Sequence, residues 1–238
     1  MKSLLTLSKM IDHSLLHPTY ADDFLRSECY LAKALHVASV CIKPYAIKLA
    51  AAILAGSDVK ICTVVGFPHG SNSIKSKIQE TELVCRDGAV EIDFVVNIGK
   101  VLSEDWKYIS EEIKLINETV VSRGAISKVI FENDYYDRDD FKIELCEICN
   151  QHHVAFVKTS TGYGFVKQKD GAYAYRGATD HDIKLMRKHC LPEIKVKAAG
   201  GIRTLNDLLR VKELGASRVG ATATNAILSE ATECGYTR

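Results

Sequence analysis

Charged side chains set into apolar runs are the feature of this sequence with the clearest chemical meaning. Lys158 ends the run VAFVK and is followed at once by three hydroxyl residues and a glycine. Lys197 lies within IKVKAAGG, and Asp93 lies within EIDFVVN. An ammonium group buried without a partner is strongly destabilising, so such residues are poor choices for a simple core strand. Amines and carboxylates in these positions are typical of a catalytic centre.

Two neighbouring lysines are chemically useful because each ammonium group lowers the pKa of the other. A lysine that is neutral near physiological pH adds to an aldehyde or ketone and, after loss of water, forms a Schiff base. The protonated imine withdraws electrons from the adjoining carbon–carbon bond, while a second ammonium group and a carboxylate transfer protons. The residue types therefore predict Schiff-base chemistry, with Lys158 as the nucleophile.

Short β-rich runs alternate with helical patterns along the whole chain. The runs are SKMIDHS, ASVCIKP, VKICTVVGFPHG, AVEIDFVVNIG, SKVIFEND, VAFVKTSTG, IKVKAAGG and SRVGATA. Most are nearly continuous apolar stretches, as expected of buried parallel strands. Repeated strand–helix units of this kind predict a (β/α)8 TIM barrel, with residues 1–238 as one α/β domain. An open, doubly wound sheet is disfavoured, because no G-x-G-x-x-G motif follows the first run.

The segments between the runs have the periodicity of amphipathic helices. One such helix is predicted to begin after Ser103 as N-cap and to end at Gly124. A second is predicted between Thr204, as N-cap, and Gly215. The first helix should bury one apolar stripe, made of Trp106, Ile109, Ile113, Ile116 and Val120.

Side chains at the carboxyl ends of barrel strands meet around a common centre. Strand alternation places Lys158 on the same face as Phe156, and Asp93 on the same face as Glu91. Together with Asp12, which closes the first run, these lysines and carboxylates are predicted to converge. Lys195 shares a face with Lys197 and lies about 6.6 Å deeper along the strand. Two alternatives stay open for Lys195, which either points below the active layer or competes for the catalytic role.

A phosphate site is predicted in the loops after the last two strands. Gly200 and Gly201 precede a helix, and glycines there let backbone N–H groups approach an anion at the helix N-terminus. Gly220 and Thr222 supply further donors one strand later, and Gly162 completes the pocket. A pair of glycines that only forms a turn is the alternative.

Composition and charge argue against several other classes of protein. The chain is 47% hydrophobic and 26% charged, which is enough apolar material for a core and excludes extensive disorder. Its formal net charge of +1 provides no overall field to gather nucleic acid or an anionic membrane surface. We find no signal-peptide pattern and no apolar run long enough to span a bilayer. A cytoplasmic protein with reduced cysteines is expected.

Two of the cysteine positions invite a functional interpretation. Cys146 and Cys149 precede His152 and His153, but four ligands so close on one helix end cannot surround a tetrahedral zinc ion. Buried thiols are the preferred interpretation. Cys41 ends a strand near the predicted cavity, where it either reacts with excess aldehyde or packs as a small side chain. Packing is the preferred alternative for Cys41.

Taken together, these segments resemble the deoxyribose-phosphate aldolase family from about Ile11 to about Ile227. The motifs occur in the family's order, and their number makes the resemblance specific; they are IDHSLLHP, VCIKP, VVGFPHG, EIDFVVNIG, KVIFEN, FVKTSTGYG, GATDHDIKLM, VKAAGGIRT and ASRVGATAT. The resemblance implies a class I aldolase without a metal or other cofactor. It also implies reversible cleavage of 2-deoxy-D-ribose 5-phosphate into acetaldehyde and D-glyceraldehyde 3-phosphate, in the degradation of deoxyribose phosphate.

The resemblance also implies roles for individual residues. Lys158 would be the Schiff-base lysine, Lys197 the second lysine that lowers its pKa, and Asp93 the proton donor and acceptor. Asp12 would belong to their polar network. The phosphate would be held by Gly162, Gly200, Gly201, Gly220 and Thr222. The expected partner is a phosphorylated sugar, with no nucleic acid or membrane, and the barrel is expected to form a homo-oligomer.

Some positions depart from the family pattern. Tyr163 stands where many relatives have Phe or Lys, and Ala223 removes one possible hydroxyl from the last motif. Both changes are expected to affect phosphate binding more than imine chemistry.

Two other functions stay open, namely a related Schiff-base aldolase for another aldehyde and a non-catalytic barrel that binds a sugar phosphate. Retention of both lysines and the aspartate argues against the second.

Overall fold

Eight parallel strands close into a barrel in the computed structural model, which describes residues 3–237. The barrel strands are β1 (Ile11–Leu15), β2 (Ser39–Ile42), β3 (Lys60–Val65), β4 (Glu91–Val95), β5 (Ile126–Ile130), β6 (Phe156–Lys158), β9 (Lys195–Ala199) and β10 (Ala216–Ala221). Each pairs with its neighbour in chain order, and β1 pairs with both β2 and β10. The predicted TIM barrel and all eight predicted strands are confirmed, and the open-sheet alternative is wrong.

Ten α-helices lie in the described part of the chain, most of them packed around the barrel. They are α1 (Leu4–Ser8), α2 (Asp22–Ala34), α3 (Ile47–Leu54), α4 (Ile74–Arg86), α5 (Ile98–Leu102), α6 (Trp106–Ser122), α7 (Asp139–Gln151), α8 (Asp180–His189), α9 (Leu205–Glu213) and α10 (Thr224–Glu233). A small antiparallel hairpin, β7 (Val166–Lys167) and β8 (Tyr173–Ala174), lies between β6 and α8. Among residues 3–237, none of the helices combines the length and apolar character needed to cross a lipid bilayer.

The ends of the helices follow local sequence signals, with one exception. Gly124 and Gly215 follow α6 and α9 with φ of 72° and 103°, a backbone region that favours glycine. The prediction of Ser103 as the N-cap of α6 is wrong, because Ser103 ends the short helix α5. The backbone turns at Glu104, with φ of 54°, and Asp105 caps α6 by accepting a hydrogen bond from the Tyr108 N–H.

Strand register determines which side chains meet inside the barrel. The apolar side chains on the outward strand faces pack against the helices and form the main core. On the inward faces, Asp93 of β4 lies opposite Lys128 of β5, and Lys158 of β6 lies opposite Lys197 of β9. Since parallel neighbours in register point the same way, these four charged groups meet inside the barrel.

The N-terminus of α9 offers a test of how the loop after β9 is held. The hydroxyl of Thr204 accepts from the Asp207 N–H, and the Asp207 carboxylate accepts from the Thr204 N–H, which forms a complete capping box. We expect Thr204→Ala to lower the free energy of unfolding by about 1 kcal/mol, measured by urea denaturation. Thr232→Ala, near the end of α10, is the matched control and should change it by less than about 0.5 kcal/mol. Equal losses in both variants would contradict the capping role.

Candidate active site

A cavity of about 450 Å³ opens at the carboxyl ends of the barrel strands. Lys158, Lys197 and Asp12 line it, and so do all five residues predicted to bind phosphate, which are Gly162, Gly200, Gly201, Gly220 and Thr222. The structure therefore brings the predicted catalytic groups and the predicted anion site to one place. Asp93 is fully buried and lies behind the two lysines, out of direct contact with the cavity.

Asp93 joins the two lysines through a single oxygen atom. The Lys158 Nζ lies 2.9 Å from Asp93 Oδ2, and the Lys197 Nζ lies 2.7 Å from the same atom. Lys197 also lies 2.5 Å from Asp12 Oδ2. The two amines therefore share one carboxylate oxygen, so that a proton on either of them is within hydrogen-bond distance of Asp93.

Burial and the surrounding charges act against each other on these groups. Burial alone would raise the pKa of Asp93, but Lys128, Lys158 and Lys197 outweigh it and hold that pKa well below its usual value. Burial alone would lower the pKa of Lys197, but Asp12 and Asp93 outweigh it and raise that pKa. The net direction for Lys197 is opposite to the lowering expected from lysine–lysine repulsion. We therefore expect Lys197 to keep its proton near neutral pH.

Lys128 on β5 belongs to this network, although sequence reasoning did not single it out. Its Nζ lies 2.7 Å from Asp93 Oδ1 and 2.7 Å from Glu91 Oε2, and the side chain is fully buried. Arg218 of β10 closes the network from below, with contacts of 2.5 Å to Asp12 and 3.1 Å to Glu91. A lysine inside the apolar run SKVIFEN was an available signal, of the same kind as Lys197 in its own run.

Lys195 does not compete with Lys197. It is exposed, at the start of β9, and its Nζ lies 5.5 Å from the centre of the Phe156 ring. Phe156 separates it from the cavity, since Phe156 lies two positions before Lys158 on the same face of β6. Of the two alternatives, Lys195 therefore points below the active layer.

The glycine side of the cavity is formed by tight backbone approach. Gly162, Gly200 and Gly201 have φ of 86°, 90° and 84°, which side chains with a Cβ rarely adopt. A Cβ on Gly200 would lie 2.9 Å from the Gly177 Cα. The loops that precede α9 and α10 line this region, and Arg203 adds a cationic side chain to the cavity wall.

Aromatic side chains, among them Tyr163 and Tyr175, form another part of the cavity wall. Tyr163 lies 5.6 Å from Phe67 and 6.3 Å from His17 between ring centres, and burial raises the pKa of its phenol to about 12. Tyr163 therefore contributes a neutral ring to the cavity. Ala223 does not line the cavity; it precedes α10 and provides no side-chain cap. The alanine at this position therefore does not alter the cavity lining.

The Cys146 and Cys149 thiols are buried against the core, and Cys146 contacts Cys190. The His152 ring bonds to the Ser110 hydroxyl at 2.8 Å. Among residues 3–237, the groups with three close metal-ligating atoms include neither of these cysteines. The arrangement agrees with the interpretation of buried thiols.

Glu132, at the end of β5, supports the loop that follows Lys158. Its backbone is left-handed, with φ of 62°, and its buried carboxylate accepts from the Thr161 N–H at 3.1 Å. A Cβ on Gly164 would come within 2.6 Å of its carboxyl carbon, so loop and carboxylate are in close contact. Burial raises the pKa of Glu132 from 4.5 to about 7.

Comparison with known proteins agrees with this geometry. Residues 6–229 match the family described as DeoC/LacD family aldolase. This chain belongs to that family. It is 50% identical to a deoxyribose-phosphate aldolase from Rhodopirellula baltica, over 94% of this chain and 89% of the relative. It is 42% identical to one from Caldanaerobacter subterraneus, over 96% and 95% of the two chains.

Solved structures resemble the barrel closely. The aldolase QR15 superposes with a TM-score of 0.85 at 33% identity, covering 95% of this chain and 96% of the other. A deoxyribose phosphate aldolase from Aeropyrum pernix, described as having a unique tetrameric structure, gives a TM-score of 0.86 at 26% identity. That comparison covers 98% and 93% of the two chains.

The buried carboxyl group of Glu132 makes stability depend on pH. Between about pH 4.5 and pH 7 the folded protein holds a proton that the unfolded chain has released, so this contribution is complete below that window and is lost as pH rises through it. Glu132→Gln removes the group that titrates. We therefore expect the free energy of unfolding of the variant, relative to that of the wild type, to be about 2–3 kcal/mol higher at about pH 8 than at about pH 4.5. Urea denaturation at both pH values measures this.

Glu104→Gln is the matched control for this prediction. Glu104 also has a left-handed backbone, with φ of 54°, but it is exposed. Its substitution should shift stability equally at both pH values. A parallel pH dependence in wild type and Glu132→Gln would contradict the assignment.

Proposed function

We propose that this protein is a deoxyribose-phosphate aldolase that reversibly cleaves 2-deoxy-D-ribose 5-phosphate to acetaldehyde and D-glyceraldehyde 3-phosphate. The observation that carries the proposal is the amine of Lys158, which lines the cavity and contacts a buried carboxylate shared with a second lysine. Family membership supports the same reaction. The substrate is a phosphorylated sugar, and the protons are moved by side chains of the barrel interior.

Charge balance favours Lys158 as the nucleophile. The network contains four basic groups, Lys128, Lys158, Lys197 and Arg218, and three acidic groups, Asp12, Glu91 and Asp93. Removal of one proton leaves three cations facing three carboxylates. Among the four bases Lys158 has the fewest acidic partners, because it contacts Asp93 alone. A neutral amine at Lys158 therefore leaves a balanced interior.

The reaction follows from a neutral amine at this position. The Lys158 Nζ adds to the aldehyde carbon of the open-chain sugar, and loss of water gives a protonated imine. Removal of the proton from the C3 hydroxyl breaks the C2–C3 bond, and the electron pair moves into the iminium to give an enamine. Glyceraldehyde 3-phosphate departs. Protonation of the enamine at C2 and addition of water then release acetaldehyde and restore the amine.

Lys197 and its two carboxylates supply the proton path. Lys197 is a cation that lines the cavity, so it can donate its proton to the carbinolamine oxygen. Asp93, which contacts both amines, then relays the proton lost by the Lys158 nitrogen back to Lys197. Asp12 contacts Lys197 and lines the cavity as well, so it holds that ammonium group in place. In this scheme Asp93 acts on the reacting nitrogen directly and on the substrate through the lysines.

The phosphate is held on the glycine side of the cavity. Backbone N–H groups around Gly200, Gly201, Gly220 and Thr222 can surround an anion where α9 and α10 begin, and Gly162 closes the pocket from β6. Among residues 3–237, Arg203 is the lysine or arginine that lines the cavity without belonging to the carboxylate network.

Oligomer formation and the absence of nucleic acid and membrane partners stay predictions. Light scattering on the purified protein measures the oligomeric state.

Trapping of the imine tests the nucleophile. After incubation with acetaldehyde and sodium borohydride, we expect one stable adduct, on Lys158, identified by peptide mass spectrometry. Lys158→Leu should lose the adduct and lower kcat by about 10⁴-fold or more. Lys195→Leu, which removes the exposed lysine below Phe156, is the control and should be labelled like the wild type. Adduct formation on Lys195 or Lys197 instead would overturn the assignment, and failure to trap while sugar phosphate binds would favour a non-catalytic barrel.

Comparison of phosphorylated with unphosphorylated sugar tests the anion site. Arg203→Met should raise KM for 2-deoxyribose 5-phosphate about tenfold, since a charge-assisted hydrogen bond contributes about 1.5–3 kcal/mol. The same variant should leave kcat/KM for unphosphorylated deoxyribose unchanged in a coupled assay. Arg86→Met, at the far end of α4, is the control and should affect neither substrate. Equal loss with both sugars in Arg203→Met would show that Arg203 does not contact the phosphate.

A further inference from the structure

Two cysteines lie side by side between the cavity and Asp93. Cys41 of β2 and Cys62 of β3 are paired directly opposite each other on neighbouring parallel strands. Their Sγ atoms are 3.4 Å apart, and both residues are buried. Cα atoms in such a pair are separated by about 5 Å, which falls within the range that a disulfide spans.

The two thiols differ in what they contact. Cys41 lines the cavity, so a small solute that enters the active site reaches its sulfur. Cys62 lies deeper, with its Sγ 3.2 Å from Asp93 Oδ1 and 3.1 Å from the Lys128 Nζ. Any movement of the Cys62 sulfur therefore acts on the carboxylate that joins the two active-site lysines.

We propose that Cys41 and Cys62 form a peroxide-oxidisable dithiol whose closure to a disulfide switches off the catalytic centre. Hydrogen peroxide is the oxidant, and Cys41 is the thiol that it reaches first. The aldolase reaction does not use this pair, and closure of the disulfide is a covalent modification of the barrel rather than a step of catalytic turnover.

The chemistry balances in two steps. The Cys41 thiolate attacks one oxygen of hydrogen peroxide, the O–O bond breaks, and a sulfenic acid forms with release of hydroxide, which is protonated to water. The Cys62 sulfur then attacks the Cys41 sulfur, the S–O bond breaks, and a second water leaves. Two thiols and one peroxide thus give one disulfide and two waters, and a dithiol such as dithiothreitol reverses the change.

Local electrostatics favour this order of events. The Cys62 thiol can donate a hydrogen bond to Cys41, and this bond together with the nearby Lys197 and Lys158 lowers the pKa of Cys41. Burial raises the pKa of Cys62 well above its usual value. Cys41 is therefore the better nucleophile toward peroxide, and Cys62 is the resolving thiol.

Closure of the disulfide would disturb the site. The two sulfurs must approach from 3.4 Å to about 2.05 Å, which moves the Cys62 sulfur from its position 3.2 Å from Asp93 Oδ1. Because the cavity lies beside Cys41, a small dithiol can reduce the bond by exchange. Displacement by about 1 Å of a group that positions reacting atoms lowers rates by up to about a hundredfold.

Two other uses of these thiols are less consistent with the surroundings. Cys41, Cys62 and Asp93 could offer three atoms to a metal ion, but the Asp93 oxygens already accept from three lysines, whose charge repels a cation. A second thiol contact, between Cys146 and Cys190, lies outside the barrel lumen, where α7 faces α8. It serves as an internal comparison for oxidation.

The test treats the wild-type protein with equimolar hydrogen peroxide and measures two independent quantities. Peptide mapping, with free thiols alkylated before digestion, should find a disulfide between Cys41 and Cys62. Cys146 should be found alkylated, that is, as a free thiol. Activity after treatment should fall by about a hundredfold relative to before, and dithiothreitol should restore it.

Variants separate this proposal from general oxidation. For each variant, the readout is the ratio of its activity after peroxide to its activity before peroxide, so the starting activity does not matter. Cys41→Ala and Cys62→Ala should each lose the reversible inactivation by peroxide. Cys146→Ala should behave like the wild type. Sulfinic acid at Cys41 without pairing, pairing of Cys146 with Cys190 alone, or no oxidation would each overturn the proposal. The peptide map requires no turnover, so it stays informative even if the aldolase assignment fails.

Discussion

The carboxylate of Asp93 accepts hydrogen bonds from three lysine side chains in the middle of the barrel. A buried carboxylate is costly by itself, and so is each buried ammonium group. Together they form a network with Asp12, Glu91 and Arg218 in which every charge faces an opposite one. Loss of Asp93 would leave Lys158 without an acidic partner, so the network is sensitive to substitution at its centre.

The network can exist only because the barrel around it is rigid and apolar. Every barrel strand is hydrogen-bonded on both sides, and the outward side chains pack under the helices. Side chains on the inward faces therefore keep fixed positions, which catalysis requires of reacting groups. The same rigidity brings Cys41 and Cys62 within 3.4 Å and ties one of them to Asp93. Chemistry and sensitivity to oxidation thus have a common structural origin.

Loops rather than strands shape the mouth of the cavity. The segment after Lys158 is held by the Glu132 carboxylate, and the aromatic side chains of Phe165 and Tyr175 from either side of the small hairpin pack at 5.2 Å between ring centres. Phe165 and Tyr175 line the cavity together with Gly200, Gly201 and Gly220. The loops therefore bring aromatic rings and the glycine residues into one cavity, with Tyr175 next to Gly200.

The sequence by itself determined the barrel, the eight strands and the inward direction of Asp12, Asp93, Lys158 and Lys197, because apolar runs and two-residue alternation are local properties of the chain. Only the tertiary structure decided that Lys128 and Cys62 contact Asp93, that Lys195 lies below the site, and that Asp105 rather than Ser103 caps α6. Distances between side chains on different strands depend on register and barrel closure. Those depend on hydrogen bonds between residues far apart in the chain, which no local pattern records.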